Sequence, residues 1–535
     1  MKKIAVLLFL SIALTLQAAD FERIYLSTDR SAYVAGDLVW CSAFSLGGTP
    51  VHSGVVYVEL FSTDGTAAQS KIAMNGGRGS GLIVLPASLP TGNYLLCAYT
   101  SPDDDPAEIL RNGRVISIFN GFSSARVSDG VQIGESVRPA APATAGSLRI
   151  VPASAGRNAT MTLDLDNSLG KAASVSVAVV HDDNLAPTRQ TGIADVCTAV
   201  PTGLPSAEGD LIRARLMGPD RDAALRLSPY ALISSPGNTE DIYTSHVGAD
   251  GTVAFRTNNI FGHRDLVCEV VGLDEGMSAY LDVLPSFIGL STSEIPSLTL
   301  SPSFERSLID RVAAIPSSRA AAADTLVQFL PKRESRLFPV NDEEARWYHL
   351  EDYTRMNTLH ESIIEFMTDL RWRRNEIQVL KVQRRGVTAN FVSDVLVLID
   401  GVPVLDHNAV IEMDARLLSD VLVYPRSYSL GSRSFEAVVS LITTARNISV
   451  VKFPETVRIL DFEGTSYPLA YQQRPASGQD LRQTIFWHPS VEVPAGGMER
   501  ITVQTPSYAG HFRVIVEGLD SDGRPLHQEA TFEVR

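Results

Sequence analysis

Short runs rich in Val, Ile, Leu and Tyr, each closed by a turn signal, recur along most of this chain and set its fold class. Residues 55–60 and 82–85 are two such runs, and the turn signals Asp64-Gly65 and Asn75-Gly76-Gly77 separate them. β-branched and aromatic side chains suit a pleated, half-buried surface, while Gly, Asn and Asp supply the left-handed conformations that turns need. Runs punctuated in this way predict the strands of β-sandwiches. The same texture returns at Met161-Thr162-Leu163-Asp164-Leu165, at residues 174–180, at 251–255 and 265–272, and again from about residue 457. The expected fold class is mainly β.

Two stretches break this pattern. Between residues 193 and 230, Leu211, Ala214, Ala223 and Leu225 stand among charges and predict a partly helical insertion. From about 304 to 374 the period changes: Phe304, Leu308 and Val312 recur at helical spacing, and residues 320–329 favour helix. Leu359, Ile363 and Phe366 form a second stripe, with Thr358 placed to cap it and Glu361 three residues on. Both stripes are read as core packing.

The first residues read as an export signal at 1–19. Lys2 and Lys3 precede an apolar run at 4–16, and Ala18 and Ala19 follow as small residues at a cleavage site. No later run is apolar for long enough to predict a membrane-spanning helix in the mature chain. A length of 535 residues implies several domains. The net charge of −15 disfavours nucleic acid as a partner, because it repels phosphates. Four cysteines (Cys41, Cys97, Cys197 and Cys268) are too few for a disulfide framework. Cys41 and Cys97 fall in separate strand-like runs, so a bridge and two buried thiols are both open; a Cys197–Cys268 pair is open in the same way.

Composition shifts divide the chain into a sandwich at 20–127, an Ala- and Pro-rich linker at 128–147 and a second sandwich with the helical insertion at 148–290. A helical or linker segment follows at 291–349, then a small α+β unit at 350–445 and a C-terminal sandwich at 446–535. A weak echo links Gly92-Asn93-Tyr94, Gly262-His263-Arg264 and Gly510-His511-Phe512, each a Gly leading into an apolar strand-like run. Its irregular spacing fits three related sandwiches rather than a solenoid.

The opening of the first sandwich carries Thr28-Asp29-Arg30, Tyr33, Gly36-Asp37 and Trp40, then Leu85-Pro86, Leu89-Pro90 and Gly92-Asn93-Tyr94. On these residues it resembles a macroglobulin domain of bacterial α2-macroglobulin-like proteins. Ile485-Phe486-Trp487-His488-Pro489 and residues 508–518 resemble the same family. The resemblance implies macroglobulin-like β-sandwich domains. Members that trap covalently use a thioester in a Cys-x-Glu-Gln motif, and none of the four cysteines here stands in one.

Three ordered blocks, residues 395–404, 418–424 and 430–444, resemble the plug domain of TonB-dependent outer-membrane receptors. Within them Asp400-Gly401 reads as a tight hairpin turn, and Gly431 gives the backbone freedom after Leu430. The resemblance implies an α+β plug-like domain. The chain after residue 445 is too short for a receptor barrel of its own.

No catalytic, cofactor or metal constellation emerges. His360-Glu361 lacks the second histidine of a zinc helix, since Ile364 holds that position. His181-Asp182-Asp183 reads as a polar strand end, Asp103-Asp104-Asp105 as a solvated acidic loop, and the glycine-rich residues 76–81 as a turn leading into a strand. A basic cluster, Arg371, Arg373, Arg374, Lys381, Arg384 and Arg385 with Trp372 among them, stands out in an acidic chain.

The expected function is therefore that of a non-enzymatic scaffold or interaction protein, exported to the periplasm or the periplasmic face of the outer membrane, with no cofactor. It would dock an envelope protein, an outer-membrane barrel being the plug-derived candidate. The docking candidates are Arg371, Trp372, Arg373, Arg374, Asp400, Gly401, Gly431 and Arg433. The alternative is a macroglobulin-like protease inhibitor that works without a thioester.

Overall fold

The computed structural model describes residues 22–46, 52–102, 104–135, 138–183, 185, 187–196, 209–237, 241–258, 260–292, 294–326, 345–382, 389–431, 433–466, 469 and 479–535. The expected export signal, Cys197, Arg384 and Arg385 lie outside these residues. The protein is mainly β: among the described residues a first sandwich is followed by a second that encloses, along the chain, a third sandwich, a long helix and an α+β module.

The first sandwich runs from Arg23–Thr28 to Arg114–Phe119. Its eight strands follow one another in space as Arg23–Thr28, Leu38–Leu46, Arg78–Val84, Gly65–Asn75, Val55–Ser62, Gly92–Tyr99, Arg114–Phe119 and Ala32–Val34. The sequence signals for its turns are realised: Gly36, Gly65, Gly76 and Gly77 all have positive φ. Tyr33 and Trp40 are buried as expected. Cys41 and Cys97 are free and buried on different strands, so the bridge is not formed; Cys268 is a third buried thiol.

The two later sandwiches are not the successive units that the composition shifts suggested. Strand Ala173–His181 is flanked on one edge by Thr484–Val493 and on the other by Gly510–Asp520. Strand Thr160–Asp166 pairs with Met498–Gln504. One composite sandwich is thus built from residues 149–181 and 484–534, over a core that includes Leu163, Val177, Val503, Phe512 and Val516. A central strand needs hydrogen-bond partners on both edges, and here the chain supplies them only after an excursion of some three hundred residues.

That excursion contains the inner sandwich, strands Asp210–Met217, Tyr230–Ser234, Ile242–His246, Thr252–Thr257, His263–Val271 and Tyr280–Val283. It is completed by a single late strand, Arg458–Glu463, on the outer edge of His263–Val271. Residues 210–217, read as helical from Leu211 and Ala214, form a strand that buries Asp210, Ile212, Ala214 and Leu216 in strict alternation. Period two wins because Ile212, Ala214 and Leu216 meet the sandwich core; among the described residues of the stretch, Ile193–Val196 and Arg221–Arg226 are helical as expected. The three echoed segments become Gly92–Tyr99, His263–Val271 and Gly510–Asp520, each an interior strand of a different sandwich.

Helix Glu305–Leu326 follows the inner sandwich and lays Leu308, Val312 and Ile315 against Ala32, Val34 and Phe119 of the first. The α+β module comes next, and its mixed sheet runs Arg346–His349, Leu418–Tyr424, Ala437–Thr443, Val395–Ile399, Val402–Val404. Helix Leu359–Glu365 is capped as the sequence indicated. Thr358 Oγ1 accepts from Glu361 N at 3.1 Å, and Glu361 returns a carboxylate oxygen to Asn357 N at 2.9 Å. Val395, Val397, Ile399, Val421 and Val439 meet this helix and residues 408–411 on one face. The alternate residues Leu396, Leu398, Leu422, Val438 and Ile442 pack on Tyr230, Leu232 and Val271 of the inner sandwich. Burial on both faces explains the unbroken apolar run at 395–399. Each such side chain contributes about 1.5–3 kcal/mol when fully buried, so the module is fixed to the inner sandwich rather than tethered to it.

Candidate functional site

The candidate docking residues separate into two groups. Arg371, Trp372, Arg373 and Arg374 lie at the start of a three-stranded sheet, Leu370–Arg373, Glu376–Val382 and Ala389–Val392. Arg371 is held in place: its Nε donates to Gln378 Oε1 at 2.7 Å and its guanidinium lies 4.2 Å from the centre of the Phe391 ring. Trp372 packs against the module core. Arg373 and Arg374 are exposed at the hairpin tip, and among the described residues neither forms an ion pair. Lys381, read as part of the same basic cluster, is matched by Glu436 at 3.0 Å.

The tip itself is unusual. Arg373 and Glu376 are paired, and the two residues between them, Arg374 and Asn375, have φ of 58° and 60°. That is the two-residue turn with both central residues left-handed, a position that favours Asn, Asp or Gly. Asn375 suits it. Arg374 does not.

The other group divides: Asp400 and Gly401 face inward, and Gly431 and Arg433 are exposed. Asp400 and Gly401 form the expected tight turn, with φ of 44° and 86°, but Asp400 is only 3% exposed. Its carboxylate accepts from Thr443 N at 2.9 Å and from the Thr443 hydroxyl, and its carbonyl accepts from Gly237 N at 2.7 Å. Gly401 is buried beside it. Gly431 turns the Tyr428–Leu430 and Arg433–Phe435 hairpin with φ of 60°, and a side chain there would stand 2.9 Å from Thr244 Oγ1. Arg433 pairs with Asp394 at 2.8 Å and lies over Phe435. Asp400 and Gly401 are therefore buried, and the Asp400 carboxylate is already occupied by the chain's own groups, whereas Gly431 and Arg433 are exposed.

Sequence reasoning missed a second polar region, at the seam between the first and composite sandwiches. Glu517, 3% exposed, accepts from Tyr25 Oη at 2.9 Å and from Ser27 Oγ at 2.7 Å, both on the first strand of the first sandwich. His527 Nδ1 stands 3.0 Å from the same carboxylate. Burial opposes ionisation of Glu517, but the hydrogen bond from His527 and the charges of Arg114 and His527 outweigh it and hold the group below the usual range. Burial likewise opposes protonation of His527, yet Glu517 and Glu529 raise it to about 9.

Around this pair, Arg311 of the long helix grips Asp183 through two contacts of 2.8 Å, and Arg513 bridges Asp182 and Glu529. His181-Asp182-Asp183 is thus a strand end, as read, and part of an interdomain charge network. Asp104 is nearly buried and accepts from Thr100 N and Ser101 N, which corrects its reading as a solvated loop. Alternation along the strands Gly510–Asp520 and Pro525–Val534 would have flagged Glu517 and His527 only as solvent-facing. Nothing local records that another sandwich covers that face.

Among the described residues, no three His, Cys, Asp or Glu side chains gather as a metal site, and no helix is long and apolar enough to cross a membrane.

No family profile matches the chain, and no curated protein matches it. Among solved structures, trypsin-activated α2-macroglobulin from Escherichia coli aligns over 96% of this chain and 41% of its own, at 8% identity and a TM-score of 0.24. The native conformation of the E. coli protein aligns over 97% and 40%, at 9% identity and a TM-score of 0.25. A Salmonella α2-macroglobulin mutant aligns over 96% and 39%, at 9% identity and a TM-score of 0.24. The chain spans less than half the length of each.

Proposed function

We propose that this chain is a non-catalytic, exported interaction protein of the cell envelope that docks a protein partner through the hairpin tip of its plug-like module. The macroglobulin-like sandwiches would act as its scaffold, on the periplasmic side of the outer membrane, and an outer-membrane barrel protein is the partner class. The observation that carries this reading is Arg374, an arginine held in a left-handed turn position beside exposed Arg373. A strained residue of this kind costs about 1–3 kcal/mol and persists where the surroundings or a function demand it. Here the surroundings demand little, since the tip is exposed. The seam with the inner sandwich holds the module behind it rigid, which limits the ordering cost of docking.

The test is site-specific photocrosslinking from position 375 in intact cells, followed by binding measurements with the purified partner. Arg373→Glu with Arg374→Glu should lower affinity at least tenfold, and added salt should weaken the unmodified complex. Identical adducts and affinities with and without the two arginines would refute the docking role.

A further inference from the structure

Between the last strand of the inner sandwich, Tyr280–Val283, and the long helix, residues 284–292 cross the first sandwich without helix or strand of their own. Three side chains of the first sandwich hold this stretch down. Lys71 Nζ donates to Ser286 Oγ at 3.1 Å, Ile288 N donates to Tyr99 Oη at 3.1 Å, and Gly289 N donates to both oxygens of the Glu59 carboxyl at 3.2 Å. Phe287, Ile288 and Leu290 pack on an apolar cluster that includes Tyr57, Phe61, Cys97 and Tyr99.

Glu59 sits within that cluster. On its strand it lies between Tyr57 and Phe61, and it is paired across the ladder with Cys97. It is 0% exposed, whereas Gly289, bonded to it, is exposed. On this side one residue of chain separates the carboxyl group from water. The groups around it supply no cation. Lys71 is matched by Asp210 at 2.7 Å, and Gln69, its partner on Gly65–Asn75, turns to Glu463. Glu108 and Arg111, on the short helix Pro106–Arg111 whose Ile109 joins the cluster, pair with each other. Tyr57, Cys97 and Tyr99 are acids that burial keeps neutral, and the charge of Glu59 adds to that for Cys97 and Tyr99. Burial pushes Glu59 itself up to about 7, with only Gly289 N pulling the other way.

We propose that residues 286–290 form a pH-operated strap, closed over Glu59 while that carboxyl is neutral and loosened from the first sandwich as it ionises. A carboxylate among aromatic and aliphatic side chains needs more than one backbone N–H to replace its water. Lifting the strap supplies that water, and the stretch carries no ladder hydrogen bonds, so it can lift without unzipping a sheet. The covered group has a pKa of about 7 and the wet group one of 4.5. Opening is therefore suppressed in acid, grows as pH rises from about 4.5 to 7, and levels off above, with an upper bound of about 300-fold. The same stretch leads from the inner sandwich to the long helix, so its release loosens a joint between the inner sandwich and the first.

The experiment follows amide hydrogen exchange in the full chain from pH 5 to pH 8, with each rate divided by that of an unstructured peptide at the same pH. Protection of the Ile288 and Gly289 amides should fall at least tenfold between pH 5 and pH 7 and level off by pH 8. The amides of strand Leu38–Leu46, elsewhere in the first sandwich, should keep theirs. That comparison lies within the unmodified protein and needs no variant to fold. Glu59→Gln, of the same shape but without a charge to gain, should hold the protection at 288 and 289 constant across the range. Protection there that ignores pH, a fall shared equally by Leu38–Leu46, or an equal fall in the Gln variant would each overturn the proposal.

Discussion

The ammonium of Lys71, in the first sandwich, lies 2.7 Å from the carboxylate of Asp210, which opens the first strand of the inner sandwich, and neither side chain is more than 2% exposed. Tyr57 donates to the other oxygen of Asp210 at 2.7 Å, and the Phe462 ring lies 4.3 Å from the ammonium. Phe462 belongs to the late strand that completes the inner sandwich. Residues from three distant parts of the sequence thus meet at one buried ion pair, since Tyr57 and Lys71 are cross-strand partners.

Breaking that pair from one side should be far worse than removing it whole. Asp210→Ala leaves a buried, uncompensated ammonium, with an expected loss of about 3–5 kcal/mol. Lys71→Met combined with Asp210→Leu should recover most of it, because no charge remains to be desolvated. Calorimetric unfolding of the two variants decides the matter. If the double variant is as unstable as the single one, packing rather than charge governs this contact.

His527 makes the other seam sensitive to alkali. Its folded-state pKa of about 9 exceeds the ordinary value of 6.5, so its contribution is fully present below about pH 6.5 and is lost as pH rises through 9. Glu517 and Glu529 face it directly, and Arg114 and Arg513 stand nearby. At one pKa unit per about 1.4 kcal/mol, the effect has an upper bound on the order of 3 kcal/mol. The melting temperature should fall between pH 7 and pH 10, and His527→Gln should flatten that fall. An unchanged slope in the variant would remove His527 from the account.

Local chemistry was legible in the sequence, and long-range pairing was not. Asp400-Gly401, Gly36-Asp37 and the Thr358 cap each depend on a few adjacent residues, and each formed as read. The composite sandwich depends on Ala173–His181 finding partners some three hundred residues away. A β-branched strand records which face is buried but not which strand lies beside it. The docking candidates show the same division. Arg373 and Arg374 stayed exposed, whereas Asp400 and Gly401 were drawn inward by the apolar sheet face that packs on Tyr230 and Leu232.

Glu59 gives a second loss of stability with rising pH, at lower pH, and here substitution stabilises. It is fully buried on strand Val55–Ser62, and burial raises its pKa to about 7 although Gly289 N donates to it at 3.2 Å. A carboxyl group raised above its unfolded value holds a proton in the native state that the unfolded chain gives up, so stability falls as pH rises from about 4.5 to 7. Glu59→Gln keeps an acceptor for Gly289 and cannot ionise. It should raise stability at pH 8 by about 1–3 kcal/mol and leave it little changed near pH 4. Equal effects at both pH values would show that ionisation is not the cause.

The hairpin tip offers a test in which stability and docking move in opposite directions. Arg374 and Asn375 occupy the two left-handed positions of the turn. Asn followed by Gly is the preferred pair for this geometry. Arg374→Asn with Asn375→Gly should therefore relieve strain and stabilise the module by about 0.5–1 kcal/mol, provided that the pairing of Arg373 with Glu376 is retained. The same change removes one of the two exposed arginines and should weaken partner binding severalfold, with a shallower dependence on salt. Hydrogen exchange of the hairpin amides reads the first effect, and titration against the partner reads the second. Higher protection with undiminished binding would mean that the turn is merely suboptimal. Lower protection would mean that Arg374 is held by contacts that its backbone angles do not reveal.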